Sequence, residues 1–153
     1  MNMVNENLNK KQLLWIDDEF TTLPWLFKQL SSLIGENNLK TARTSQEARR
    51  ILRKQEAFNC LLLDIMLPRN RLEFYDEQVR LDEGISLLED LRNAKFPAFP
   101  PGTPIVIFTA RGNEEALERI QKLLAAPNDK LLRKAIDSLD DVLNSVKQAL
   151  QAK

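Results

Sequence analysis

The sequence predicts an α/β fold, a parallel sheet wrapped by helices on both faces. Three observations predict it. The apolar runs Leu13-Leu14-Trp15-Ile16, Cys60-Leu61-Leu62-Leu63 and Ile105-Val106-Ile107-Phe108 are continuous rather than alternating, as in strands covered on both sides. Segments with helical spacing of apolar residues separate them. Strand and helix then alternate five times, which calls for right-handed crossovers and a parallel sheet.

Met1 to Lys10 is polar and rich in Asn, and reads as a flexible tail before a single domain over residues 11–153. After the first strand, Leu23–Leu33 carries Leu23, Leu26, Phe27, Leu30 and Leu33 on one stripe. Leu39–Ala42 is a weaker strand. Ser45–Gln55 is the second helix, opened by the capping box Thr44-Ser45-Gln46-Glu47 and burying Ala48, Ile51 and Leu52. The third helix is expected over Gly84–Ala94, with Ile85, Leu87, Leu88 and Leu91 inward. Pro97–Pro104 holds four prolines in eight residues, a stiff connector into the fourth strand. Glu114–Leu124, after an Asn113 cap, turns Leu117, Ile120 and Leu124 inward. Lys130–Leu132 is the last, weaker strand. Leu139–Ala152, after a Ser138 cap, buries Leu139, Val142, Leu143, Val146 and Leu150.

Composition narrows the function. The chain has 153 residues, 22 basic and 22 acidic side chains, no histidine and one cysteine. One domain of this size buries about 70% of the surface its unfolded chain exposes, so it needs no disulfide or metal for a core. The lone Cys60 has no internal partner for a disulfide, which suits a reducing compartment. The N-terminus lacks the apolar core of a signal peptide, and no apolar run reaches the ~18–20 residues of a membrane span; a cytoplasmic protein is expected. Balanced charge argues against nucleic-acid or membrane-surface binding. Without histidine, imidazole metal sites and Ser-His or Cys-His nucleophile chemistry are excluded.

Polar residues follow each strong strand. Asp17-Asp18-Glu19 follows the first, Asp64 the second and Thr109-Ala110-Arg111 the third, while Lys134 comes just after Leu131-Leu132. In parallel sheets chemistry gathers at the carboxyl ends of the strands. Any one of these residues has a plain structural explanation: a helix cap or turn for an aspartate, a cap for Thr109, a solvated surface for Lys134. Their joint occurrence at four strand ends does not. Three converging carboxylates repel one another, and Mg²⁺ with its preference for carboxylates and water resolves that. A carboxylate nucleophile, a metal, a lysine and a hydroxyl together suit an incoming phosphoryl group.

On these residues the chain resembles the receiver domains of two-component response regulators. The matching stretches are LLWIDDE (13–19), LKTARTSQEARRIL (39–52), LLLDIMLP (61–68), DEGISLLEDLR (82–92), PIVIFTAR (104–111) and LLRKAIDSLDDVL (131–143). The resemblance implies a flavodoxin-like doubly wound sheet in the order 2-1-3-4-5 with five helices. It implies that Asp64 accepts the phosphoryl group, and that Asp17, Asp18, Asp64 and the Met66 carbonyl hold Mg²⁺, or Mn²⁺. Thr109 and Lys134 would contact the phosphoryl group. The donor would be a phosphohistidine on a histidine kinase or histidine phosphotransfer protein. The chain would not be an enzyme on other substrates; it would catalyse its own phosphorylation and slow dephosphorylation. No output domain is expected after the last helix, so the signal would pass to a downstream protein through a changed surface.

Several positions depart from the family. Ala135 replaces the proline usual after the lysine, and a non-proline cis bond costs ~2.5–4 kcal/mol, so a trans bond or local rearrangement is expected. Leu131 replaces the usual aromatic switch residue. Gly84 lies twenty positions after Asp64 rather than about eight, leaving an insertion over Arg69–Leu81. Its Leu72/Phe74 and Val79/Leu81 alternate as in a hairpin, while Leu72, Tyr75 and Val79 fit a helical stripe; both readings stay open. The insertion is either a tolerated surface loop or a cover beside the acceptor. Met66 and Arg111 border the expected approach of a hydrolytic water, and neither offers a carboxylate or amide to orient it. Two other families share parts of this pattern. A haloacid-dehalogenase-type phosphohydrolase needs an acid two residues after its nucleophile, where Met66 stands. A pseudo-receiver, acting as a protein-interaction module without phosphorylation, is favoured by the insertion, Ala135 and Leu131, and opposed by the intact Asp17, Asp18, Asp64, Thr109 and Lys134.

Overall fold

A computed structural model describes residues 8–54, 57–70, 77–110, 114–134 and 136–151. The sheet has five strands: β1 (Leu13–Ile16), β2 (Leu39–Ala42), β3 (Cys60–Leu63), β4 (Ile105–Thr109) and β5 (Lys130–Arg133). All pairings are parallel, and the order is β2-β1-β3-β4-β5. The helices are α1 (Pro24–Ile34), α2 (Ser45–Leu52), α3 (Glu77–Arg92), α4 (Glu114–Leu123) and α5 (Leu139–Gln151). The flavodoxin-like architecture implied by the sequence is therefore the observed one. No helix among the described residues is long and apolar enough to cross a membrane.

Why the apolar runs are continuous is visible in the core. Alternate residues of a strand point to opposite faces, and here both faces are covered. Leu14, Ile16, Leu61, Leu63, Ile105 and Ile107 pack with α2, α3 and α4 in one cluster. Leu13, Trp15, Cys60, Leu62, Val106 and Phe108 pack with α1 and α5 in the other. Burial pushes the Cys60 thiol far above its ordinary pKa, which keeps it an inert core residue.

The expected caps at Thr44 and Ser138 are present. The Thr44 hydroxyl accepts from the Glu47 amide at 3.1 Å, and the Ser138 hydroxyl accepts from the Asp141 amide at 3.1 Å while Asp141 returns the bond to the Ser138 amide. Asn113 lies outside the described residues. On α4 the inward stripe is Ala116 and Ile120, with Leu123 and Leu124 against it; Leu117 is half-buried on the flank rather than inward. Of the segment read as a tail, Leu8–Lys10 forms a short 3-10 turn that buries Leu8 against the second cluster.

The third helix differs most from expectation. It begins at Glu77, seven residues before Gly84. The part of the insertion over residues 77–81 is thus helical, and Val79 and Leu81 do not belong to a hairpin; residues 71–76 lie outside the described set. Leu81 joins Ile85 and Leu88 on the buried stripe, so the added turns continue the helix's own register. Gly84 has a different purpose from the helix start it suggests. A Cβ there would sit 1.8 Å from the carbonyl oxygen of Ile65, so α3 presses directly on the backbone just after the end of β3. The same loop is held from the other side, where the Ser45 and Gln46 amides at the start of α2 donate to the Pro68 and Arg69 carbonyls at 2.9 and 3.0 Å.

The proline-rich connector is clamped by one side chain. The Arg92 guanidinium donates to the carbonyls of Pro101, Thr103 and Leu123 and pairs with the buried Asp129 carboxylate. Asp129 also accepts from the amides of Ile105 and Ala126. This network fixes the entry of β4 and β5 at the edge of the sheet opposite the site.

Candidate functional site

The sheet order converts sequence spacing into contact. The Asp64 amide donates to the Ile16 carbonyl at 2.8 Å, and the Asp17 amide to the Ala42 carbonyl at 2.9 Å, so both aspartates extend the ladder by one residue past β1 and β3. The Lys134 amide donates to the Thr109 carbonyl at 2.9 Å. Asp17, Asp64, Thr109 and Lys134 therefore stand in adjacent columns at one edge.

Their side chains meet. Asp17, Asp64 and Thr109 are buried, and burying a carboxylate is tolerated only with partners. Asp64 Oδ1 accepts from the Thr109 hydroxyl at 3.0 Å and from the Met66 amide at 2.9 Å. Lys134 Nζ reaches Asp64 Oδ2 at 3.1 Å and Asp17 Oδ2 at 2.9 Å. Asp17 Oδ1 accepts from the Glu19 amide at 2.8 Å, which turns the chain after β1. One carboxylate oxygen from each of Asp17, Asp18 and Asp64 lies within 4.8 Å of the others. Three hard oxygen donors at that spacing fit a divalent cation such as Mg²⁺ or Mn²⁺. For Met66 the structure gives a buried side chain and a backbone N–H that donates to Asp64 Oδ1; its carbonyl as a metal ligand stays with the resemblance. Arg111 and Ala135 lie outside the described residues. Leu131, at the position of the family's aromatic, is half-buried against the first core cluster.

One residue of the site has no counterpart in the sequence reading. Arg80, in the part of α3 formed by the insertion, donates from Nη1 to Asp18 Oδ2 at 2.8 Å, with both side chains mostly covered. It lines a pocket of about 70 Å³ together with Asp18, Glu19, Asp64, Met66 and Lys134. The signal that could have found it is the helical stripe of Leu81, Ile85 and Leu88, which carries the helix back through Arg80.

Electrostatics at Asp64 are dominated by burial. Desolvation, with the neighbouring Asp17 charge, pushes its pKa up to about 7 against the opposing pull of Lys134 and the Met66 amide. For Lys134, burial works to lower the pKa, but the Asp64 and Asp17 carboxylates outweigh it and hold the ammonium above its usual value. A consequence follows for stability. In the unfolded chain Asp64 loses its proton near pH 4, whereas in the folded chain it keeps it up to about 7. Between those values the native state binds more protons, so rising pH erodes stability through this residue, and the loss is complete above pH 7. Asparagine resembles the protonated form. Asp64→Asn without metal should match wild type at pH 4 and exceed it by roughly 1–4 kcal/mol at pH 8. Urea unfolding in EDTA at the two pH values checks this; a difference that does not grow with pH would contradict it.

No protein-family model matches the sequence, and no curated protein matches it. Solved structures do. The response regulator receiver domain protein (CheY-like) from Methanospirillum hungatei superposes with a TM-score of 0.66 at 23% identity, covering 92% of this chain and 93% of that one. The chain has the receiver-domain fold. A signal receiver domain of a two-component histidine kinase from Clostridium thermocellum also superposes on it at 0.66, with 18% identity over 94% of this chain and 99% of that one. The BeF3-activated DrrB receiver domain gives 0.62, with 21% identity over 93% and 98%. Sharing a receiver fold at these identities fixes the backbone; the chemistry rests on the residues at the strand ends.

Proposed function

We propose that this chain is a phosphoacceptor receiver of a two-component phosphorelay, and that Asp64 takes the phosphoryl group. The observation that carries the reading is the setting of the Asp64 carboxylate. It is buried at a strand end between a hydroxyl, an amide and an ammonium, with two further carboxylates within reach of one cation. An Asp64 oxygen attacks phosphorus as the bond from phosphorus to the donor's histidine nitrogen breaks; the leaving electron pair stays on the imidazole, which then takes a proton. Lys134 Nζ, already on Asp64 Oδ2, is positioned to follow the phosphoryl oxygens, and the Thr109 hydroxyl to donate to one of them. Divalent metal held by Asp17, Asp18 and Asp64 supplies further positive charge to those oxygens.

Asp64, once converted to the acyl phosphate, no longer needs the Thr109 and Lys134 contacts it now makes. Both side chains then turn to the phosphoryl oxygens, which pulls on the loops after β4 and β5 and shifts α4. With Leu131 in the aromatic's position, the shift proceeds without an aromatic flip. The changed α4 surface is the output, read by a downstream protein.

Incubation with acetyl phosphate, read by intact mass, tests this. A gain of one phosphoryl with Mg²⁺ and none in EDTA is the expected result. The second reading, a pseudo-receiver, is favoured by the Arg80–Asp18 ion pair, which neutralises part of the acidic set without metal; no mass gain at any metal concentration would support it and reject the first.

A further inference from the structure

We propose that Arg80 is a tethered cation of the acceptor pocket that holds Asp18 against divalent metal and must release it before metal is bound. The inference rests on the metal-dependent reading above and adds a residue that sets how readily the site loads. Asp18 Oδ2 is the atom Arg80 Nη1 occupies at 2.8 Å, and Asp18 is one of the three residues that each offer a carboxylate oxygen within 4.8 Å of the others. Guanidinium and metal therefore draw on the same carboxylate.

The pocket sets Asp17, Asp18, Asp64 and Glu19 against Lys134 and Arg80. Lys134 is committed to two nearly fully covered carboxylates, Asp17 and Asp64, whereas Arg80 holds the more exposed Asp18, which leaves Arg80 as the cation that yields. Its root is fixed: the Arg80 carbonyl accepts from the Leu67 amide at 3.3 Å, and Gly84 one turn later lies on Ile65. The guanidinium is thus returned to the pocket whenever metal leaves, so its effective concentration there is high and the apparent metal affinity is lowered.

Mn²⁺ binding, followed by the electron paramagnetic resonance of free Mn²⁺, tests this on the full chain. Hydrogen bonds to charged groups are worth enough that Arg80→Gln should tighten Mn²⁺ binding by about tenfold or more. Arg119→Gln, which removes an exposed charge on α4 that pairs with Glu89, should change it by less than about twofold once salt screens distant charges. If Arg80→Gln does not fold, Arg80→Lys replaces the fork with a point charge and should still tighten binding severalfold. Wild-type affinity retained in the Arg80 variants, or an equal gain from Arg119→Gln, would overturn the role of Arg80 and leave the metal site standing. No Mn²⁺ binding by wild type or variant would overturn both.

Discussion

Asp64→Asn is expected to abolish the Mg²⁺-dependent gain of a phosphoryl group. The amide is isosteric, so Thr109 and the Met66 amide keep an oxygen partner at the position of Oδ1, and the fold is retained. What is lost is the nucleophile. An amide oxygen is a poor one, and the other carboxylates are committed differently: Asp17 to the Glu19 amide and Lys134, Asp18 to Arg80. Labelling should therefore fall to background rather than move to a neighbour. The pH-dependent gain in stability expected of the same variant separates loss of chemistry from loss of folding. Persistent labelling of folded Asp64→Asn protein would reject Asp64 as the acceptor.

The second large effect is expected at Gly84. Helix propensity favours Ala over Gly in a helix interior by about 1 kcal/mol, so on local grounds Gly84→Ala should stabilise. The contact decides otherwise. The new Cβ would lie 1.8 Å from the Ile65 carbonyl oxygen and within 2.8 Å of two further backbone atoms of Ile65. No side-chain rotation relieves a clash with backbone. Either α3 lifts off the sheet or the loop carrying Asp64, Ile65 and Met66 moves, and the loop is also tied to the start of α2 through Pro68 and Arg69. A net loss of roughly 2–4 kcal/mol is expected, in the range of overpacked cores, with slower phosphoryl incorporation because Asp64 shifts against Thr109 and Lys134. Urea unfolding measures the first and mass gain over time the second. A variant more stable than wild type would show that propensity, not the contact, governs this position.

Gly84 also marks where the sequence was hard to read. A glycine at the head of an apolar stripe looks like a helix boundary, and only the packed chain reveals a close approach inside a longer helix. β1, β3 and β4 were legible because burial on both faces leaves no alternation to misread; β1, β2 and β3 have the expected bounds, and β4 and β5 each extend one residue further. Their lateral order was not in the periodicity. It came with the resemblance, and the order in turn gathers Asp17, Asp18, Asp64, Thr109 and Lys134. Arg80 escaped because a guanidinium in a segment of ambiguous periodicity carries no signal until the helix register is fixed. With Arg80 in place, removing the Asp18 charge does more than relieve repulsion among carboxylates; it also takes the ionic partner at 2.8 Å from a largely covered guanidinium, so Asp18→Asn should cost stability in EDTA.

The most direct test of the central claim is to locate the phosphoryl group. Protein treated with acetyl phosphate and Mg²⁺ is reduced with borohydride, which converts an aspartyl phosphate to homoserine, and the residue changed is identified by peptide mass spectrometry. Homoserine at position 64, absent without Mg²⁺, is the result the account predicts. Homoserine at Asp17, at Asp18 or elsewhere, or no conversion in protein that binds metal, would contradict it.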